Sequence, residues 1–193
     1  MTVQTPTRTP NDWLKRYYFA RAGFSIAWVA AAFLLANGSP AIVGALLLIY
    51  PAWDAAANIV DARRTDRLTG NSTQIANAVV SAVITVAIAT TLARSSHAVL
   101  ATFGAWAILS GLLQLATGVR RRRGDRGQWP MMLSGAQSAI AGAMFVVKAW
   151  EPHAMTITTV APYAAFGAFY FLIAALWLTR SDAISRKIHA GSR

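Results

Sequence analysis

Cysteine is absent from this chain, and charged side chains are scarce. Among 193 residues there are no Cys, three His and seven acidic residues, and charged residues make up 13%. Without Cys there are no disulfides, no thiolate catalysis and no Cys-ligated zinc. A soluble domain carries about 25% charged residues, because its surface must be hydrated. The shortage of charge therefore argues against a soluble protein.

The chain contains long apolar segments, and hydrophobic residues make up 55% of it. About 20 apolar residues are enough for a helix to cross the hydrocarbon core of a bilayer. Segments of this length lie at residues 17–36, 41–60, 73–93, 98–119, 129–150 and 156–178. The sequence therefore predicts an all-α membrane protein with six transmembrane helices in one membrane domain, residues 12–180.

The basic residues lie at the ends of these segments and predict their orientation. Net charge is +11, and the richest run is Arg120–Arg123 with Arg126 between the fourth and fifth segments. Lys-rich and Arg-rich loops stay on the cytoplasmic side, since moving their charge through hydrocarbon is costly. We therefore expect a multi-pass membrane protein with both termini cytoplasmic. Residues 1–11 are expected to be a disordered cytoplasmic tail, and residues 181–193 a basic cytoplasmic tail.

This orientation also bears on the partners that we expect. Because topology accounts for the basic charge, no nucleic-acid partner is expected. The lipid bilayer is the expected partner, a homo-oligomer is left open, and the sequence identifies no small-molecule ligand.

Short and long loops alternate, which predicts three helical hairpins, and the hairpins resemble one another. In the odd spans, segments 24–27, 80–83 and 137–140 superpose at spacings of 56 and 57 residues. In the even spans, Ala52-Trp53, Ala105-Trp106 and Ala168-Phe169 take similar places, at spacings of 53 and 63 residues. Repeats that run in the same direction predict copies related by an axis along the membrane normal.

Three segments of the even spans resemble a known family. They are Tyr50-Pro51-Ala52-Trp53-Asp54, Phe103-Gly104-Ala105-Trp106-Ala107-Ile108-Leu109-Ser110-Gly111 and Ala165-Phe166-Gly167-Ala168-Phe169-Tyr170. With the repeat layout, these segments make residues 13 to 180 similar to the HdeD-like bacterial membrane proteins. The resemblance implies six spans arranged as hairpins, an inner-membrane location and, from the name-giving member, a link to acid resistance.

Isolated polar residues at membrane depth are the first candidate site. They fall in one layer of the cytoplasmic half of the membrane: Arg21, Asp54, Asn58, Asn77, Gln114 and Gln137. In one interpretation Arg21 pairs with Asp54 and the amides form hydrogen bonds across helices, which holds the bundle together. In the other, the layer is a hydrated pocket or an ion path in which Asp54 titrates.

A second candidate site lies on the outer turns, where His97, Glu151 and His153 are expected. Histidine titrates near neutral pH and could sense external acidity, or these residues could simply be solvated. We expect no metal site, no cofactor and no catalytic residues, because the sequence shows no arrangement of nucleophile and base. The resulting prediction is a non-enzymatic protein of the HdeD-like type that acts in acid or membrane stress tolerance. The alternative is a small transporter or channel built on the polar layer.

Overall fold

A computed structural model describes residues 10–64, 72–122, 129–152 and 156–190, with side chains given for residues 12–184 of these ranges. The described residues form six α-helices and no strand. In chain order the helices are α1 (Pro10–Leu34), α2 (Pro40–Arg64), α3 (Ser72–Leu92), α4 (Ser96–Arg121), α5 (Trp129–Lys148) and α6 (Ile157–Ala190).

Each of the six helices is long and apolar enough to cross a membrane. Large apolar side chains such as Val86, Ile140 and Val147 are more than half exposed, as expected where the surrounding solvent is lipid. The prediction of an all-α fold with six spanning helices is therefore confirmed, and the chain is a multi-pass membrane protein.

Two helices extend into segments that we predicted to be tails. Helix α1 begins at Pro10, and helix α6 continues without a break to Ala190. The rest of the N-terminal tail, residues 1–9, lies outside the described residues, as do 191–193 and parts of both basic loops at 65–71 and 123–128. Lys15 at the start of α1 bonds Asp12 at 3.0 Å and Asp182 of α6 at 2.7 Å, so the two helices meet near the chain ends.

Most of the described basic residues lie at one end of the bundle, which we call the basic end. There Arg121 pairs with Asp61 at 3.0 Å, and the guanidinium of Arg64 lies 5.0 Å from the ring centre of Trp13. These contacts join the last turns of α2 and α4 and the first turn of α1, so the described chain ends and the flanks of both basic loops share one end.

The helices that pack most extensively are not the predicted hairpin partners. The largest interfaces are α4 with α5, α1 with α6, and α2 with α3, whereas α1 and α2 share little backbone proximity. The hairpin arrangement is therefore not confirmed by the packing, although α3 and α4, which form one of the predicted hairpins, are also extensive neighbours. Helices joined by long basic loops are closer neighbours than some helices joined by short turns.

Four glycines explain the closeness of α4 and α5. Gly104 and Gly111 of α4 face Gly142 and Gly135 of α5. A Cβ added at Gly104 would lie 2.7 Å from the carbonyl oxygen of Gly142, and one at Gly111 would lie 2.6 Å from that of Gly135. The two backbones are thus in direct contact, which small residues permit in membranes.

Rings from the even helices fill the middle of the bundle. Trp106 lies 5.6 Å from Tyr50 and 6.1 Å from Tyr163, measured between ring centres, and Phe103 lies 5.0 Å from Trp106. We call Tyr50, Phe103, Trp106 and Tyr163 the aromatic layer. Phe103 and Trp106 are among the most buried side chains of the described chain.

A repeated hydrogen bond gives the three copies a common register. Ser25 lies 3.4 Å from the Tyr50 hydroxyl, Ser81 accepts from the Trp106 indole at 2.9 Å, and Ser138 accepts from the Tyr163 hydroxyl at 2.8 Å. In each pair the residues are 25 apart in sequence. The serines are those of the predicted odd-span repeat, and all three are buried.

This register differs from the one predicted for the even spans. Tyr50, Trp106 and Tyr163 are equivalent, at the same spacings of 56 and 57 residues that relate the serines. Phe169, which we had aligned with Trp106, is 55% exposed and lies on the outside. The predicted alignment of Phe169 with Trp106 was wrong because small and aromatic residues recur on both faces of α6. An aromatic ring is as stable against lipid as it is in the core, so its presence does not show which face is buried.

Replacing Ser138 by Ala should destabilise the protein modestly. The change removes the acceptor for Tyr163 and the bond that Ser138 donates to the carbonyl of Ala107 at 2.9 Å. Interhelical hydrogen bonds in membranes contribute about 0.6 kcal/mol each. Thermal unfolding in detergent should show a small loss, whereas Thr90→Val, an exposed residue bonded only within its own helix, should show none. Equal effects of the two changes would contradict the role of this bond.

Candidate functional site: a polar layer beside two cavities

Asp54 is the centre of the polar layer and is 5% exposed. One carboxylate oxygen pairs with the guanidinium of Arg21 from α1. The other accepts hydrogen bonds from Ser81 of α3 at 2.8 Å and from the side-chain amide of Asn58 at 3.0 Å. Both oxygens of the carboxylate are therefore occupied by donors from three helices.

The donors are themselves held in place. Ser81 accepts from the indole of Trp106, which adds α4 to the network. The Asn58 amide also donates to the backbone carbonyl of Asp54 at 2.8 Å, and Asn77 approaches the carboxylate at 3.4 Å. Through Asp54, the first four helices are connected by hydrogen bonds and one ion pair.

Arg21 is stabilised by more than its counter-ion. Its guanidinium donates to the hydroxyl of Tyr17 at 2.9 Å and lies 4.3 Å from the ring centre of Phe171 on α6. A cation over an aromatic face is stabilised by the ring quadrupole, the more so where water is excluded. The arginine thus joins α1 to α6 while its charge neutralises Asp54.

This geometry has one chemical consequence. A buried pair costs little only while both charges are present, because each relieves the desolvation of the other. Each carboxylate oxygen accepts from at least one donor, and these donors link Asp54 to α1 and α3 as well as to its own helix.

A cavity, which we call the inner cavity, lies beside the layer and is bounded on one side by Tyr50, Trp106 and Tyr163. It leaves about 50 Å³ for the centres of water molecules. Asn77, Ser110 and Gln114 line it, and in the described chain the Oδ1, Oγ and Nε2 atoms of these three side chains are buried and have no hydrogen-bond partner.

A smaller cavity, which we call the basal cavity, extends from there toward the basic end. It leaves about 20 Å³ for water centres and shares Arg21, Asn77, Gln114 and Phe171 with the inner cavity. Asp61, Thr73 and Thr117 line its far side, where the two threonine hydroxyls lie 2.6 Å apart. Polar lining therefore continues from the layer to the basic end.

The predicted layer residues divide into two groups. Arg21, Asp54, Asn58 and Asn77 make direct contacts, whereas Gln114 and Gln137 line the inner cavity. Sequence reasoning did not assign Tyr17, Ser110 or Trp106 to the site. Ser81 was predicted only as part of the odd-span repeat, and its recurrence with Ser25 and Ser138 was the signal that could have added it to the site.

The outer residues do not form a cluster in the described part of the chain. His97 is half-buried, with its Nδ1 3.1 Å from the carbonyl oxygen of Ala149, while Glu151 is exposed. His153 lies outside the described residues. An apolar cavity of about 760 Å³ opens at this end between α2, α3, α4 and α6, on the other side of the aromatic layer from the inner cavity.

Comparison with known proteins finds a family model that matches part of the chain. A family model described as a short repeat of unknown function (DUF308) matches residues 76–147, from the second turn of α3 to the last turn of α5. The match contains Ser81, Trp106 and Ser138 as well as the α4–α5 glycines, and it agrees with the HdeD-like resemblance. No curated protein and no solved structure matches the chain.

Proposed function

We propose that this membrane protein with its DUF308 repeat is a non-enzymatic protein of the HdeD-like type, and that it supports tolerance of acid or membrane stress in the bacterial inner membrane. The observation that supports a non-enzymatic role is that the Asp54 carboxylate pairs with Arg21 and accepts hydrogen bonds from Ser81 and Asn58, as a buried structural ion pair does. The acid and stress component comes from the resemblance to the HdeD-like family.

The alternative is a small transporter or channel, and the cavities favour it. Their polar lining reaches from the layer to the basic end, as a half-channel would. Against a continuous path stands the aromatic layer, whose rings lie 5.0–6.5 Å apart between centres and close the bundle beyond the inner cavity.

The variant that separates the two proposals carries Arg21→Met with Asp54→Asn. It removes both charges and keeps one side-chain oxygen for Ser81. If the layer only holds the bundle, cells that lack their own copy should survive acid challenge equally well with this variant and with the wild type. Failure to survive, with equal amounts of folded protein in the membrane, would contradict a holding role.

A transporter predicts a different result in liposomes. Wild-type protein should then carry protons or solute across the bilayer, and the double variant should not. If the protein has the proposed non-transport function, neither the wild type nor the double variant should show flux above that of empty liposomes. Flux through the wild type would favour the alternative.

Both termini are proposed to be cytoplasmic, and the chain lends itself to a direct test because it has no native Cys. Ser39, in the turn after α1, and Ser181, on α6 at the basic end, are both exposed. An impermeant maleimide added to whole cells should label Ser39→Cys, and it should label Ser181→Cys only after lysis. The reverse pattern would invert the topology.

A further inference from the structure

Asn77 and Ser110 are only 7% and 6% exposed, and each carries a buried polar side-chain atom that has no hydrogen-bond partner. The Gln114 amide nitrogen is a third such atom. Leaving one buried donor or acceptor unsatisfied costs about 1–3 kcal/mol. All three side chains line the inner cavity, so the cost falls at one place in the bundle.

The cavity limits the size of anything that these atoms could bind. A single water needs about 10–15 Å³ measured in this way. The inner cavity leaves about 50 Å³, which is room for a solute of only a few heavy atoms. The basal cavity, which shares Asn77 and Gln114, extends toward the basic end and is the side from which a solute could arrive.

The charges around the cavity limit the solute to a neutral one. Arg21 and Asp54 are the two charged residues that line it, and they pair with each other. An added ion would be buried at membrane depth without a counter-charge, which is costly.

The unpartnered atoms are also chemically complementary to one group. The Nε2 of Gln114 donates, the Oδ1 of Asn77 accepts, and the Ser110 hydroxyl does either. An amide or urea group offers the matching carbonyl acceptor and N–H donors. We propose that the inner cavity binds a small neutral solute with an amide or urea group, which enters and leaves by the basic end because the aromatic layer closes the other side.

The test uses the absence of native Cys. Ser110→Cys places a thiol in the inner cavity. Ser25→Cys is the matched control, since Ser25 is 4% exposed but lines neither cavity. Purified variants in nanodiscs are treated with methyl methanethiosulfonate, a small neutral thiol reagent, with urea or glycerol at concentrations that leave the protein folded. Mass spectrometry follows the modification.

We expect the reagent to modify the thiol of Ser110→Cys and to leave that of Ser25→Cys unmodified over the same time. Urea should slow the modification of Ser110→Cys, and glycerol, which lacks an amide, should slow it less. In a second variant that adds Gln114→Leu, the thiol should still react but urea should no longer protect it. If Ser110→Cys does not fold, Ser134→Cys, at a buried position that lines the same cavity, replaces it.

Three outcomes overturn the proposal. If the cavity thiol is as inert as that of Ser25→Cys, the cavity does not admit solutes. If the thiol reacts but urea gives no protection, the cavity admits small molecules but does not bind an amide or urea group. Equal protection by urea and glycerol would show that the amide group is not what the site recognises.

Discussion

Asp54→Asn should lower the free energy of unfolding by about 3–5 kcal/mol, the range for a buried ion pair that loses one partner. The substitution keeps the size of the side chain and one of its oxygens, so the loss is mainly of charge. Arg21 would then remain buried with Tyr17 and Phe171 as its neighbours and without an anion. Chemical or thermal unfolding in detergent, read by tryptophan fluorescence, measures the loss.

The double variant with Arg21→Met provides the internal control. With both charges removed, no uncompensated charge is left, and replacing buried pairs by uncharged groups is often nearly neutral. We therefore expect most of the lost stability to return, as a large coupling energy in a double-mutant cycle. Additive losses from the two single changes would show that Arg21 and Asp54 do not act as a pair.

Gly111→Ala should disrupt the contact between α4 and α5. The added Cβ would lie 2.6 Å from both the Ala139 backbone nitrogen and the Gly135 carbonyl oxygen. Backbone atoms cannot rotate away as a flexible side chain can, so the helices must separate. Overpacking of this kind typically costs about 1–3 kcal/mol, and Gly111→Val should cost more. Unfolding in detergent and the yield of folded protein both report the effect.

Gly23→Ala is the matched control for this change. It makes the same substitution inside a helix, but an added Cβ at Gly23 meets no atom within 4 Å. Alanine in an open helical position should stabilise by about 0.5–1 kcal/mol, because glycine loses more backbone entropy on folding. The two substitutions therefore have opposite expected signs, and a similar change in stability at both positions would show that the contact between α4 and α5 is not what Gly111 provides.

The depth of the polar residues could be read from the sequence, but their rotation about each helix axis could not. Arg21 and Asp54 lie at similar distances from the basic ends of their helices, which was enough to predict a common layer. Whether the layer is closed depends on Ser81 and Trp106, which are distant from Asp54 in the chain. No local pattern links these residues.

The same uncertainty explains the error in the repeat register. Phe103 is 1% exposed, whereas Phe166, at the corresponding place in our predicted alignment, is 52% exposed. In water, a helix reveals its inward face because the outward face must be polar. In lipid both faces are apolar, so two chemically identical rings can have opposite locations.

The sequence alone determined the number of helices, and it predicted which ends they share. Both follow from the length of each apolar run and from the high cost of carrying arginine through hydrocarbon. Only the tertiary structure decided which helices are neighbours, and which polar atoms are paired or face a cavity. Those choices depend on contacts between backbones, such as the glycines of α4 and α5, and on side-chain directions that have no signature in hydrophobicity.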